Sequence, residues 1–252
     1  CYINMGAGDQ AETIINDIIE NYSNHDNCYR ILNSIAKCYR ANNDYARCIS
    51  LYQQVMNTAS RDLEKHEALA GLAKAKAHSE GLADTSQVDA IVDYMVAIKD
   101  TFPRVGYHMF QIGEEYGRRA KEAAKQKNKD AAENNFKKAI SVWSRNINDI
   151  NNSKHECYAY YHSGVAYLRI GHFQKAIDHF NKLLRKYPEF DRAWNAQFQI
   201  VICYDKMYRN KQISLTEVKS KISEVCNKYD EKYPDFKVSA SVKKYSDKYS
   251  QL

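Results

Sequence analysis

Small and aromatic residues stand at regular offsets between Cys157 and Pro188, and this pattern constrains the fold of the 252-residue chain more than any other feature. Gly164 and Ala176 are small, and at a helix crossing small residues let two backbones approach closely. Tyr167 and Phe180 follow them at three and four positions and supply the bulk that fills the interface. The segment therefore predicts two helices packed closely against each other.

Helix-ending residues divide the same segment into two. Gly171 is expected to end the first helix, because glycine adopts the left-handed capping conformation without strain. Pro188 is expected to end the second helix, because proline cannot continue one. A helix pair of this length, with Gly, Tyr, Gly, Ala, Phe and Pro in this order, resembles a tetratricopeptide repeat, whose period is about 34 residues.

The small residue of the second helix recurs along the chain. Six positions, 37 to 46 residues apart, share this place in the pattern: Ala11, Cys48, Ala90, Ala132, Ala176 and Ile222. These spacings are longer than the roughly 34 residues of a tetratricopeptide repeat, and HEAT repeats have such longer periods. HEAT repeats are therefore the alternative architecture, while the residue order favours tetratricopeptide repeats.

The fold class that the resemblance implies is all-α, a right-handed superhelical solenoid of antiparallel helix pairs. Only 9 Gly and 3 Pro are present, too few for the closely spaced turns of a β-sandwich or barrel. One domain is expected over 1–252, and the expected elements are an orphan helix at 9–23, helix pairs at 26–57, 61–101, 104–149, 154–186 and 190–233, and a capping helix near 236–250. An orphan helix at the start predicts that further repeats precede residue 1.

Charge and cysteine content bear on partner and compartment. The formal net charge of +6 is too small by itself to imply nucleic acid. Seven cysteines without a C-x-x-C motif do not indicate a disulfide framework, and free thiols favour the cytoplasm. No apolar run approaches the roughly 20 residues that cross a bilayer. Because Cys1 stands in place of Met, processing or trimming of the chain is expected.

A second resemblance supports another compartment. The helix ends at Tyr187-Pro188 and Tyr233-Pro234 resemble those of bacterial envelope proteins with tetratricopeptide repeats, which serve outer-membrane or cell-wall assembly. A periplasmic or membrane-anchored protein is therefore the alternative to a cytoplasmic one.

The sequence predicts no enzyme activity, no cofactor and no metal. It lacks the glycine-rich loops that hold phosphates and the G-x-S-x-G motif of hydrolases. His66 and His155 are each followed by Glu, but Ala stands where the second zinc ligand should be. His155 with His162, and His172 with His179, are each seven residues apart, so a metal site remains the alternative to partly exposed polar faces.

The resemblance also implies a partner-binding surface. In tetratricopeptide arrays the first helix of each pair lines a concave face, and the corresponding positions here are rich in aromatic and basic residues. The candidate partner-binding residues are Tyr107, Phe110, Arg118, Tyr158, Tyr161, Arg169 and Phe198. Such rings supply contact area at low entropy cost. The alternative is that longer helices rotate these rings into the packing between repeats.

The main functional prediction is a non-enzymatic scaffold that binds a peptide or partner helix in this groove. The family's clamp for C-terminal carboxylates, built from Lys and Asn, is not matched. One alternative is RNA or anionic-surface binding through the basic helix extension at 118–129, although no RNA-binding signature accompanies it. Another is the helical accessory region of a larger enzyme. Partner identity and oligomeric state stay open.

Overall fold

The computed structural model describes residues 3, 8–25, 27–79, 86–150, 154–233 and 239–251. Of these residues 83% are α-helical and none lies in a strand. This confirms the predicted all-α class of helical solenoids; its right-handed sense stays a prediction. The described helices are α1 (Gly8–Tyr22), α2 (Cys28–Ala41), α3 (Tyr45–Thr58), α4 (Asp62–Ser79), α5 (Ser86–Ala97), α6 (Val105–Lys125), α7 (Lys129–Asp149), α8 (Glu156–Arg169), α9 (Phe173–Lys186), α10 (Ala193–Arg209), α11 (Leu215–Lys232) and α12 (Ser239–Gln251).

Two compact units make up the chain. Unit 1 comprises Cys1–Glu122 and unit 2 comprises Ala123–Leu252. In unit 1, α2 packs on α1, α3 and α4, while α3 and α5 also pack on α4. In unit 2, each helix from α7 to α12 packs on the next one, and α10 also contacts α8 and α12. One domain over 1–252, with the helix pairs given above, stays a prediction.

Four turns between the helices of a pair share one backbone conformation. Each has a left-handed residue, with φ of 61°, 60°, 79° and 57° at Asn43, Lys127, Gly171 and Lys211 respectively. At every one of them the left-handed N–H donates to the carbonyl three residues before it, and the following N–H donates to the carbonyl five residues before it. This is the Schellman motif. The predicted left-handed cap at Gly171 is confirmed, and the same turn occurs where the sequence has Lys or Asn.

A stability prediction follows from these turns. A left-handed conformation costs a residue with a Cβ about 1–2 kcal/mol, and the flexibility of unfolded glycine offsets about half of any gain. Lys127→Gly and Lys211→Gly should therefore each raise the free energy of unfolding by about 0.5–1 kcal/mol in urea melts. Gly171→Ala is the matched reverse. A Cβ there meets no atom within 4 Å, so any loss comes from the backbone alone. Lysine variants that melt earlier than wild type would contradict this.

Glycine also marks the close helix contacts. A Cβ placed on Gly164 would lie 2.6 Å from Cε1 of Phe180, so the ring occupies the space that a side chain would need. In unit 1, a Cβ on Gly71 would lie 2.2 Å from Cζ of Tyr52. Ala176 is fully buried in the unit 2 core. The small residues thus admit aromatic rings between the helices.

The last helix covers apolar surface of unit 2. Val242 and Tyr249 of α12 are buried, and the Cys226 thiol of α11 donates to the carbonyl of Val242. The Phe198 ring of α10 meets Tyr245 edge-on, with centroids 6.1 Å apart. The start of the predicted capping helix, at 236–238, lies outside the described residues. From Ser239 onward, α12 shields the side of α10 and α11 that would otherwise face water.

Candidate functional site

An aromatic cluster of unit 2 joins α8 to the loop before α10. The rings of Tyr158 and Tyr161 lie 5.0 and 5.9 Å from the ring of Phe190, and Tyr158 meets it edge-on. The guanidinium of Arg192 lies 5.7 Å from the centre of the Tyr161 ring. Tyr158, Tyr161 and Phe190 are all half-buried, whereas Arg192 is exposed. The cluster therefore presents ring faces beside a positive charge.

Tyr161 holds two helices of this cluster together. Its hydroxyl donates to Oδ1 of Asn195 on α10 over 2.7 Å, and the same oxygen accepts from Gln199 Nε2 at 3.3 Å. Burial raises the pKa of Tyr161, so the hydroxyl keeps its proton and stays a donor. Its ring also reaches Phe180 at 6.2 Å. Tyr161 thus connects α8 to α10 by a hydrogen bond and also contributes its ring to the cluster.

The other two candidate residues of unit 2, Phe198 and Arg169, have different surroundings. Phe198 is half-buried and contacts Tyr245 of α12, so the last helix forms one side of its environment. Arg169 is exposed at the last position of α8. A cation in that place is favoured by the partial negative charge of the helix C-terminus.

In unit 1 the candidates divide between surface and core. Phe110 is only 8% exposed, so its ring is buried. Tyr107 is half-buried, its hydroxyl accepts from Gln111 Nε2 at 2.6 Å, and Arg104 lies over its ring at 4.7 Å. Arg118 is exposed and forms ion pairs with Glu115 and Glu122.

A polar network around Arg118 was not foreseen from sequence. Glu115 is buried and accepts from Arg118, and His78 Nδ1 lies 2.7 Å from its Oε1. The His78 ring stacks on Tyr45 at 4.1 Å, and Arg118 also reaches this ring. Burial lowers the pKa of His78 even though Glu115 opposes the shift. The imidazole is therefore neutral at pH 7, and the Glu115 charge is matched mainly by Arg118.

The basic extension is partly engaged within unit 1. Besides the ion pairs of Arg118, Arg119 Nη1 donates to the carbonyl of Ala77 at 2.8 Å. Two of its positive charges thus already make contacts inside the fold.

A second group of cations lies where α2, α4 and α6 meet. Lys74 of α4 donates to Gln111 Oε1 over 2.9 Å. Burial, reinforced by repulsion from Arg40 and Lys37 of α2, lowers the pKa of Lys74 to about 8. The spacing of these residues carried no recognisable motif, because they belong to different helix pairs.

Two buried carboxylates fasten unit 2 together. Glu156 is only 2% exposed; it accepts from Tyr187 at 2.8 Å and from Lys186. Asp205, at 3% exposure, accepts from Tyr249 at 2.8 Å and Lys248 at 2.6 Å. These contacts tie helix to helix, which is a structural function.

The described residues supply no metal centre. Among them no group of three or more His, Cys, Asp or Glu side chains could hold a metal ion. His162 lies 5.5 Å from Trp143, and His179 lies 5.8 and 5.1 Å from Tyr160 and Tyr167, all as ring contacts. These two histidines therefore pack against aromatic side chains.

The buried cysteines are poor nucleophiles. Burial raises the pKa of Cys48 and of Cys203 to about 12 and that of Cys226 to about 11. Their thiols stay protonated at pH 7, and the thiolate is the reactive form.

Consecutive helices that pack in sequence and share one left-handed turn define a helical-repeat protein. Family models for the tetratricopeptide repeat match residues 157–190 and 31–67. These two matches support the assignment of the chain to the tetratricopeptide repeat superfamily. Proteins of this family act through protein–protein interaction, so this chain is an interaction scaffold in that general sense.

The chain is also similar to a solved structure. The crystal structure of MamA protein is similar at 18% sequence identity and a TM-score of 0.37, covering 83% of this chain and 95% of that one. A comparison with curated proteins gives no match. Within the described part of the chain, no helix is both long and apolar enough to span a membrane.

Proposed function

We propose that this scaffold is non-enzymatic and holds a peptide segment or a helix of its partner against the first helices of its pairs. In unit 2 the contact surface comprises Tyr158, Tyr161, Phe198 and Arg169. In unit 1 a separate contact surface comprises Tyr107 and Arg118. Phe110 is left out of the contact surface because its ring is buried.

The observation that carries the proposal is the half-exposed cluster of Tyr158 and Phe190 beside Arg192. Rings held by edge-on contacts are already ordered, so a ligand that packs on them costs little side-chain entropy. A neighbouring guanidinium attracts acidic groups and also stacks on aromatic faces. This chemistry suits a segment that carries both apolar and acidic side chains.

The test begins with capture of partners by wild-type protein and their identification by mass spectrometry. Binding of the captured partner is then measured by calorimetry for Tyr158→Ala and Phe198→Ala. Each truncation should weaken binding about tenfold or more, which corresponds to roughly 1–2 kcal/mol at an anchor residue. Tyr94→Ala is the control, because this tyrosine of α5 is 55% exposed and lies outside the proposed surface.

Salt dependence separates this function from phosphate binding. Contacts with rings change little between low and moderate salt, whereas binding to a nucleic acid backbone weakens steeply. Equal affinity of Tyr158→Ala, Phe198→Ala and wild type would overturn the proposed surface. A steep loss of affinity with salt would indicate the basic extension at 118–129 instead.

A further inference from the structure

An imbalance of charge lies on the side of unit 1 where α2, α4 and α6 meet. Three cations, Lys37, Arg40 and Lys74, stand there with two carboxylates, Glu67 and Glu115. Lys37 Nζ lies 3.7 Å from Glu67 Oε2, and Arg40 Nη1 lies 4.0 Å from Glu115 Oε2. Arg118, which also pairs with Glu115, has a carboxylate partner of its own in Glu122. One positive charge of this group is therefore left without a matching negative charge.

The two carboxylates do not pair fully with these cations. The 4.0 Å between Arg40 and Glu115 exceeds hydrogen-bond distance. Glu115 is taken up by Arg118 and by His78. Within the described part of the chain, Nε of Arg40 is buried and has no hydrogen-bond partner. The Nε donor of the Arg40 guanidinium is thus left unused, and a buried donor without a partner is costly.

Lys74 is a second cation whose charge is not balanced by a carboxylate. Its ammonium donates to Gln111, a neutral amide that cannot balance its charge. The depressed pKa of Lys74 arises from burial and then from its two cationic neighbours. A ligand that brings a negative charge to this place would stabilise the charged form of Lys74 against both burial and repulsion.

We propose that Arg40 and Lys74, with Lys37 at the rim, form a binding site for a carboxylate side chain of the partner segment. One unmatched positive charge fits a singly charged carboxylate better than a phosphate, which would bring more charge close to Glu67 and Glu115. The planar guanidinium of Arg40 suits a carboxylate by geometry as well. This site rests on the proposed function only in that its ligand belongs to a partner protein.

The probe for the test is a tri-glutamate peptide with acetylated and amidated ends, added to the full chain. Binding is followed by NMR of the lysine side chains, which also gives the pKa of Lys74. The peptide should bind and raise the pKa of Lys74 towards the ordinary value for lysine. Arg40→Gln and Lys74→Gln should each weaken binding tenfold or more. Arg30→Gln, which removes one exposed charge from the same helix α2, should change it less than about twofold.

A gain of affinity provides an independent test. Glu67→Gln removes one of the competing carboxylates and releases Lys37 from its ion pair. The peptide should then bind about threefold more tightly, because one repulsive charge near the site is gone. A purely structural role of Arg40 and Lys74 would not produce this increase. Circular dichroism of each variant verifies that the helices are retained.

Several outcomes would overturn the proposal. One is equal weakening by Arg30→Gln and Arg40→Gln, since binding would then follow overall charge. Another is binding of inorganic phosphate without binding of the peptide, which would identify a phosphate site. A third is binding of an unblocked tri-glutamine peptide as tight as that of blocked tri-glutamate, which would identify a site for terminal carboxylates.

The two proposals fail separately. Tyr158→Ala lies in unit 2 and should leave tri-glutamate binding unchanged. If Tyr158→Ala and Phe198→Ala keep the captured partner while tri-glutamate still binds through Arg40, the aromatic surface is wrong and the carboxylate site stands. If Tyr158→Ala and Phe198→Ala lose the captured partner while tri-glutamate does not bind to wild type, the carboxylate site is wrong and the aromatic surface stands.

Discussion

Phe110→Ala should lower the free energy of unfolding by about 3–5 kcal/mol, the largest effect expected of any substitution considered for this protein. The ring is 8% exposed and belongs to a helix in which ten of 21 residues are buried. Truncation removes its apolar contacts and leaves a cavity that the surrounding helices fill only partly. Urea melts followed by circular dichroism measure the loss.

Two further variants serve as comparisons for Phe110→Ala. Phe110→Leu keeps most of the volume and should cost less than about 1.5 kcal/mol. Tyr158→Ala truncates a half-buried ring of the proposed surface and should cost clearly less than Phe110→Ala. If Phe110→Ala instead melts like wild type, the ring does not contribute to the core, and the sequence-based assignment of Phe110 to the partner-binding surface regains its basis.

The frame of the repeat was readable because it depends on local chemistry. The segment around Gly164 and Gly171 placed a helix pair where the tetratricopeptide family model matches, at 157–190. Gly171 adopts the left-handed conformation that its position required. Such features need only a turn residue and a spacing, both of which a single sequence contains.

Helix α4 shows where periodicity fails. Ten of its 18 residues are buried, among them Glu64, His66 and a run of alanines. A helix that is packed on most of its circumference has no polar stripe, so its sequence shows no clear 3.6-residue pattern. For this reason the first helix of the second pair is hard to recognise from sequence alone. The same wide burial of α6 explains Phe110: ten of that helix's 21 residues are buried, so its position in the repeat does not determine exposure.

Charged contacts were the least predictable part. Glu156 meets Tyr187 across 31 positions and Asp205 meets Lys248 across 43. The cations Arg40 and Lys74 approach each other only because α2 packs against α4. No periodic pattern links such partners, since each pair depends on how whole helices stack. The candidate aromatic surface rests on repeat positions that a single sequence contains, whereas the approach of Arg40 and Lys74 depends on the packing of α2 against α4.

Acid should destabilise unit 2 through His179 of α9. Burial, with a smaller contribution from nearby Lys182, lowers the pKa of His179 to about 4. Its ring lies against Tyr160 and Tyr167, and in the described structure Nδ1 has no hydrogen-bond partner. The folded protein therefore holds this imidazole in its neutral form well below the ordinary pKa of histidine, about 6.5.

The direction of the pH effect follows from linkage between protonation and folding. Above the ordinary pKa, His179 is neutral in both states and contributes no pH dependence. Between about pH 6.5 and 4 the unfolded chain binds a proton that the folded chain excludes, so stability falls as pH falls. A pH of about 4.5 lies about 2 pH units below the ordinary pKa of histidine. Protonation of the unfolded chain therefore lowers stability by roughly 2 kcal/mol after allowance for partial solvent access.

The measurement compares variants, because carboxylates also titrate in this range. Urea melts at several pH values are followed by the fluorescence of Trp143 and Trp194, the chain's two tryptophans, which both lie in unit 2. His179→Phe keeps an aromatic ring between the two tyrosines and removes the proton site, so its stability should fall about 2 kcal/mol less than that of wild type between pH 7 and about 4.5. His172→Gln removes an exposed histidine and should follow wild type. Parallel curves for His179→Phe and wild type would mean that His179 is accessible to protons in the folded state. The assignment of a neutral, half-buried imidazole between Tyr160 and Tyr167 would then have to be abandoned.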